Sequence, residues 1–513
     1  MLLISSTMIP NWQVLQVHDL SDGTNILSTD FISSPTEMDL IVNWNMKKLG
    51  ALKKDSGYSS RGNHVTDVTE VLGLASYYYS IGQKQLAVLG KDASSDVYVF
   101  NPSTNSWTAQ GQGLTSGAKA EFAIFLDKLF MVNGEDSNLV YDGSSWSTTG
   151  EVLNSPKAKY VISYMDRLYL LNLANNPSRV LMSTVADFTY AISWDNTING
   201  PYFDVSPEDG DEITGCTINF NRLLIFKEKG LYRYDTNGLF QFPVVPGTAS
   251  PRSIKNCLDF TLYFHPTGIW SIKGNYYIGA NATEKVSRPI QPIIDGESST
   301  NLDRICAWVD GDHYICYLGD VNNPEEDIYI ENCIVDLDVA RMKWKVGSLN
   351  IVPRVSTNYR DDRSSVTYDS SDINYDNADK TYDGLVSAKD FIYMGDNNGD
   401  VYVWDNSYTF NGSTINSYFI THNYYPAGIH ARFQLQALKV YSRKGRRCRF
   451  FYSVDDGPWK PIVKYEYRNG EIFYTFEQSI VVNRIKLKCV DNSTGDRPEI
   501  KGFDIFWTPS QII

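Results

Sequence analysis

Histidine is scarce in this chain: six in 513 residues (His18, His64, His265, His313, His422 and His430), with no H-x-x-x-H pair. That spacing sets two imidazoles on one helix face for zinc, so the commonest zinc-enzyme signature is excluded. Cysteine is sparse too. The seven (Cys216, Cys257, Cys306, Cys316, Cys333, Cys448 and Cys489) are scattered and odd in number. Several lie in apolar strand-like runs such as "NRIKLKCV", where a thiol packs as a small hydrophobe. A disulfide framework is therefore not expected, and folding in a reducing cytoplasm is. No run approaches the ~20 apolar residues of a spanning helix. "MLLISSTMIPNW" has neither a basic n-region nor a long apolar h-region, so no signal peptide or membrane insertion is expected. The P-loop, the Rossmann glycine run and the G-x-S-x-G elbow are all missing.

Basic charge is in deficit. Lys and Arg total 46 against 60 Asp and Glu, for a net charge of −14. A nucleic-acid grip works by neutralising phosphates, and this balance argues against one. It is compatible with DNA passing by, since a mildly repelling wall does not stall the duplex. Amphipathic helical periodicity is nearly absent as well.

What the chain does have is aromatic side chains and turns. It carries 34 Tyr, 23 Phe, 11 Trp and 36 Gly, with 42% hydrophobic residues. Aromatic and β-branched residues suit strands, and this hydrophobic content suits a folded core. From about residue 67 to 406 one pattern recurs: four or five apolar residues, a short polar turn, then four or five more. "FAIFLDKLFMV" is one instance, with a turn expected at Asp127-Lys128. "YVISYMDRLYLLNL", "ITGCTINFNRLLIFK", "CLDFTLYFHPTGIWSIK" and "ICAWVDGDHYICYLG" are others. This is a hairpin signal. The openings recur at roughly 40–50 residues, the period of propeller blades. The spacing predicts an all-β chain, a β-propeller of about seven blades of ~45 residues over 67–406. Radial repetition hides sheet edges, which accounts for so many aromatic strands in a soluble acidic chain.

The ends differ. Residues 1–66 hold one or two strands and a polar stretch, "KKDSGYSSRGNH", read as a loop or arm that completes or docks on the propeller. Residues 407–513 alternate apolar and polar in strand fashion and read as a separate C-terminal β-sandwich-like unit. Within the propeller lies a polar insert at 357–389. There Tyr-Asp recurs every seven residues: Tyr368-Asp369, Tyr375-Asp376 and Tyr382-Asp383. A coiled coil needs two apolar positions per heptad, and the gaps hold poor helix formers. Asp369, Asp372, Asp376, Asp379 and Asp383 are hard oxygen donors of the kind Ca²⁺ takes, yet the EF-hand spacing is absent. A chain of turns, each offering one tyrosine to a neighbouring surface, is the preferred reading. Tyr368, Tyr375 and Tyr382 are thus the candidate interface residues.

Other stretches carry a plain reading beside a functional one. "SVDDGPW" at 453–459 is near the Asp-box of sialidase propellers but is one residue short and occurs once; a hairpin turn with an unusual φ at Gly457 explains it. "VYVFNPSTNSW" is near the end of a kelch repeat but lacks the Gly-Gly pair. "DNNGD" at 396–400 offers Ca²⁺ ligands, but a hairpin between Ile392–Met394 and Val401–Trp404 explains it without metal. "SRKGRRCR" at 442–449 is the single basic cluster. If it is a strand, Arg447 and Arg449 share one face and Arg446 the other. An exposed hairpin tip around Gly445, or an ion-pair patch on an acidic neighbour subunit, is preferred there to a phosphate contact. No catalytic constellation stands out, and no cofactor or metal is expected.

Three segments together resemble a bacteriophage family. "FDVSPEDGDEITGCTINFNRLLIFKEKGLYRYD" and "TASPRSIKNCLDFTLYFHPTGIWSIKG" look like the central propeller of tail hub or nozzle proteins of the packaged-DNA-stabilisation type. "RRCRFFYSVDDGPW" and "VVNRIKLKCVDNSTGDRPEIKGFDIFWTP" look like the closing unit of that group. The resemblance implies a non-enzymatic virion protein, assembled in the host bacterial cytoplasm. It implies a homo-oligomeric ring, a hexamer, beneath the portal–adaptor complex and beside tail fibre or needle proteins. Such a ring retains packaged DNA and forms its ejection conduit, without specific binding to the passing duplex. A glycan-binding or glycan-cleaving propeller is the alternative, and it needs repeated Asp-boxes or a clear acid pair. An adhesion propeller is a third class, for which no fibrous repeat is seen.

Overall fold

The computed structural model describes residues 12–28, 33–79, 82–91, 93–185, 192–194, 201–243, 245–273, 283–297, 302–361, 389–404, 407–463, 466–468, 471–495 and 497–510. Among these residues strands dominate, and the one α-helix, Gln291–Asp295, is barely a turn long. No helix among them is long and apolar enough to cross a membrane.

Each repeat folds because its apolar runs are short and interrupted by residues that tolerate the left-handed region. Glu121–Phe125 pairs with Lys128–Val132 across Leu126 and Asp127, whose φ values are +51° and +56°. The turn therefore sits one residue before the expected Asp127-Lys128. Two successive positive φ values define the tight hairpin turn whose twist matches that of its strands. Met165-Asp166 and Phe220-Asn221 repeat the geometry. Four antiparallel strands then complete each sheet. The first runs Val68–Tyr79, Gly82–Lys91, Ser95–Asn101, Ser106–Ala109. Residues 121–147, 158–204, 213–241 and 255–285 form four more of the same kind.

A sixth sheet begins with Pro353–Asp361, Lys389–Asp396 and Val401–Trp404. Its next strand, Tyr58–Ser60, comes from before the first repeat, with Tyr58 opposite Trp404 and Ser60 opposite Tyr402. Tyr58 is fully buried and stacks on Phe410 with ring centroids 4.8 Å apart. The polar stretch expected as a loop or arm thus supplies strands, Leu52–Lys54 and Tyr58–Ser60. These six sheets stand in a β-propeller arrangement. Their first strands pack successively around an axis, and Pro353–Asp361 packs back on Val68–Tyr79. Glycine permits close approach between sheets: a Cβ on Gly395 would meet the Val71 side chain of the first sheet, and one on Gly215 would lie 2.6 Å from the tip of the Ile254 side chain, just before the next sheet.

A nine-stranded sheet enters the ring between the fifth and sixth sheets. It starts with Cys306–Asp310, His313–Asn323, Ile328–Asp338 and Lys343–Ser348. Met38–Val42 then joins, parallel to Lys343–Ser348 at Val42 and antiparallel to Ser417–Thr421. Ile485–Asp491, Arg449–Val454 and Lys460–Pro461 continue it. Asn43, with φ +57°, clamps the junction through hydrogen bonds to the Ser348 and Asn416 carbonyls and the Ser348 N–H.

A seven-stranded sheet faces the far part of this one. It contains Trp44–Asn45, Leu52–Lys54, Glu499–Pro509, Phe433–Arg443, Glu471–Val482 and Glu466–Arg468, with Gln13–Val17 on Glu499–Pro509. Trp44, Phe433, Leu438, Phe450, Leu487 and Ile505 share one buried core between the two. Ile485–Asp491 alternates buried and half-buried residues, as a strand with one face on a core should. Inside lies an ion pair with both partners at 1% exposure: Lys54 Nζ to Asp491 Oδ2, 2.6 Å. It ties an N-terminal strand to a C-terminal one.

Candidate functional site: the axial channel

The first strand of each sheet faces the propeller axis, so side chains from distant repeats converge there. Two cavities, of about 500 and 410 Å³, share Glu121, Tyr160, Pro251 and Arg252 as walls and together trace the channel. Ile162, Cys216, Lys255 and Val355 line its deeper part.

Arg252 dominates the geometry. It belongs to a 3-10 turn, Pro251–Ser253, just before the first strand of the fifth sheet, and is 8% exposed. Its guanidinium donates 2.5 Å to the Leu72 carbonyl of the first sheet and 3.0 Å to the Arg354 carbonyl of the sixth. Its Nε lies 3.4 Å from the Glu121 carboxylate of the second. One side chain therefore joins four sheets across the axis. Arginine suits this, because its planar fork presents several donors in fixed directions.

Several other charges of the mouth are also paired. Lys119 bonds the Asp303 carboxylate and, at 3.0 Å, its carbonyl. Burial, then the neighbouring Arg252 charge, hold the Lys119 pKa below the usual lysine value. Lys159 donates to Glu212 at 2.9 Å, as Asn172 does at 3.0 Å. Burial opposes ionisation of Glu212, but these two bonds outweigh it and its pKa lies below normal. Arg354 pairs with Glu70 at 3.2 Å. Deeper in, burial pushes the Tyr160 hydroxyl and the Cys216 thiol well up, with Glu121 adding to both. Burial lowers the Lys255 pKa, against the pull of Glu121. A thiol held neutral is a poor nucleophile, and carboxylates engaged by cations are poor proton acceptors. The arrangement ties sheets together with charge.

The sites singled out in sequence fall elsewhere. Tyr368, Tyr375 and Tyr382, and the aspartates around them, lie outside the described residues. The strands flanking them reach Asp361 and Lys389, which pair, so part of the stretch 357–389 read as insert is hairpin. In "DNNGD", Asp396 Oδ1 accepts the Asn398 and Asp400 N–H groups, both at 2.9 Å, and Gly399 takes φ +83°. That carboxylate closes a turn. In "SVDDGPW" the positive φ values fall on Asp455 (+48°) and Asp456 (+58°), not on Gly457 as expected. Asp455 accepts the Asn483 N–H at 2.9 Å, and Asp456 pairs with Arg484. The basic cluster is neither a strand throughout nor a hairpin tip. Gly445–Arg447 is a 3-10 turn, and the strands on either side belong to different sheets. All seven cysteines are free, six of them buried. Sequence reasoning missed Arg252. "SPRSIKNC" carries no local mark of it, because its partners lie 102 to 180 positions away.

No family model matches the chain, and no curated protein matches it. Among solved structures it is similar to PorZ, an essential bacterial surface component of the type-IX secretion system of Porphyromonas gingivalis. Identity there is 11% over 74% of this chain, with a TM-score of 0.38, and the match spans 45% of PorZ, less than half its length. It is also similar to YCF48 bound to D1 peptide, at 6% identity, 68% of this chain and 94% of that one, with a TM-score of 0.39. Likenesses this distant carry no functional argument, and the propeller assignment rests on the sheets themselves.

Proposed function

We propose that the chain is a structural virion protein: a tail hub or nozzle subunit that forms a ring below a portal–adaptor complex, retains packaged DNA and provides its exit conduit. The observation that carries this reading is the nine-stranded sheet. One continuous ladder runs from the propeller through Met38–Val42 into the C-terminal strands. A wall segment must keep its shape under load, and a shared sheet resists hinging where a flexible linker does not. The paired charges of the channel favour a stiff block over a reactive centre.

The first four strands of that sheet count here as one more blade, giving seven. The two sheets around the C-terminal core count as a sandwich fused to the propeller. A ring requires a head-to-tail contact between two different faces of each subunit. Residues 364–385, with Tyr368, Tyr375 and Tyr382, are assigned to such a contact, since tyrosine suits interfaces with one wet edge. The ring is taken as a hexamer, with tail fibre or needle proteins as further neighbours.

Gold-labelled antibody against the purified chain should decorate the tail of intact particles, and negative-stain microscopy of disrupted tails should show labelled rings. Particles without label at the tail would refute the assignment. Rings that form with normal stability after deletion of residues 364–385 would refute the tyrosine contact alone.

A further inference from the structure

A third cavity, of about 430 Å³, lies where the N-terminal strands, the nine-stranded sheet and the C-terminal strands meet. Its size is that of small-molecule sites. Its charge runs against the rest of the chain. Six cations line it (Lys47, Lys48, Lys53, Lys345, Arg443 and Arg497) against four carboxylates, in a protein of net charge −14.

All four carboxylates are already engaged. Lys345 bridges Asp55 at 2.7 Å and Asp336 at 3.1 Å, and Asp336 also meets His313 at 2.7 Å. Lys47 pairs with Asp310 at 3.1 Å and Lys48 with Glu499 at 2.5 Å. Arg497 donates to the Ser407 carbonyl at 2.6 Å. Lys53 and Arg443 differ: neither makes a side-chain hydrogen bond or ion pair among the described residues. Their placement is set by the sheet. Lys53 and Arg443 both stand opposite Glu499, one on each neighbouring strand. In-register residues point to the same face, and two strand spacings put them about 10 Å apart. The one carboxylate between them is taken up by Lys48. Trp404 forms part of the wall.

We propose that this cavity binds a compact ligand bearing two or more phosphoryl groups, with Lys53 and Arg443 as its two anchoring cations. A 10 Å span suits the ends of a short polyphosphate. Arg443 supplies a planar fork for two phosphoryl oxygens, and Lys53 a point charge. A single phosphate reaches one of them and gains little. The proposal stands apart from the tail assignment and survives if that assignment fails.

The test is isothermal titration of the full chain with inorganic tripolyphosphate at low ionic strength, beside the variants Lys53→Gln, Arg443→Gln and the pair, with Lys229→Gln as a distant exposed control. Wild type and Lys229→Gln should bind one equivalent with equal affinity. Each single variant should bind about tenfold more weakly, as expected for loss of one charge-assisted contact. The double variant should show no saturable heat. Neither side chain makes a hydrogen bond or ion pair among the described residues, so the variants should melt near the wild-type temperature, and either single variant suffices if the pair misfolds. Absence of saturable binding to wild type, unchanged binding in both single variants, or equal loss in Lys229→Gln would each overturn the proposal. So would tighter binding of an aspartate-rich peptide than of tripolyphosphate, which would assign the site to a protein partner.

Discussion

Replacing Arg252 by methionine keeps most of the aliphatic stem and removes the guanidinium that joins four sheets across the axis. Three contacts go: to the Leu72 carbonyl, the Arg354 carbonyl and the Glu121 carboxylate. The Glu121 side chain is 36% exposed, so its pairing is screened and contributes little. The two carbonyl bonds come from a charged donor that is 8% exposed, and such bonds contribute about 1.5–3 kcal/mol each. Water entering the channel rehydrates the carbonyls in part, and relief of guanidinium desolvation offsets more. A net loss of about 3 kcal/mol remains. With an unfolding entropy of about 2 cal/mol/K per residue, that lowers the Tm by roughly 3–4 °C, depending on whether the C-terminal unit unfolds with the propeller. Arg252→Lys keeps the charge but not the fork, so it should recover less than half of the loss. Differential scanning calorimetry, with tryptophan fluorescence in denaturant as a second probe, reads both. A Tm for Arg252→Met within about 1 °C of wild type would refute the claim that this side chain holds the ring together.

Asp491→Asn leaves Lys54, at 1% exposure, with the Ser493 carbonyl at 2.7 Å but no carboxylate, and should cost about 3–5 kcal/mol in chemical denaturation; replacing both partners with apolar residues should recover most of it. Gly215→Ala puts a methyl group 2.6 Å from Ile254 Cδ1, the movable tip of that side chain, so it should destabilise by no more than about 1 kcal/mol, and Ile254→Val in the same chain should remove the clash. His313 faces Asp336 at 2.7 Å, with Asp312, Asp338 and Lys345 close by. Burial works against its protonation, but the Asp336 bond and charge outweigh it and raise its pKa above 6.5. A raised pKa contributes stability that is fully present below about 6.5 and lost as pH rises through the folded value. Denaturation midpoints should therefore fall as pH rises above about 6.5, and His313→Gln should flatten that slope.

Much of the propeller is legible in the sequence because its information is local. "FLDKLF" and "YMDRLY" carry both the strand signal and the turn signal within six residues, and the hairpins form where the pattern places them. The one-residue error at Leu126-Asp127 shows where local reasoning fails. Leucine is a poor candidate for φ +51°, so chemistry pointed to Asp127-Lys128, while strand twist demanded the two residues before Lys128. Gly457 is the same lesson reversed: the permissive residue was credited with a φ that Asp455 and Asp456 adopt. Long-range features were illegible. Arg252 carries no local mark, and the alternation of 471–482 and 499–509 reveals strands but not which sheet each joins. The basic cluster misled for that reason, since the chain passes from one sheet to another at Gly445–Arg447.

The chain's two ends make the propeller and the C-terminal unit a single object. Tyr58–Ser60 adds the fourth strand to the sheet that begins at Pro353, so the ring gains that strand only after some 340 further residues have been made. Met38–Val42, a few residues earlier, lies between Lys343–Ser348 of the ring and Ser417–Thr421 beyond it. Leu52–Lys54 lies on Glu499–Pro509, the last strand of all. Three short N-terminal strands thus bind three regions that lie far from them in sequence. The loops they close are long, but closure entropy grows only with the logarithm of loop length, so the equilibrium penalty is modest while folding is slow. Once closed, neither unit can swing without breaking ladder hydrogen bonds or exposing Tyr58, Trp44 and the Lys54–Asp491 pair. Rigidity here follows from where the N-terminal strands are placed rather than from the size of either core, and a rigid block is what the proposed wall segment requires.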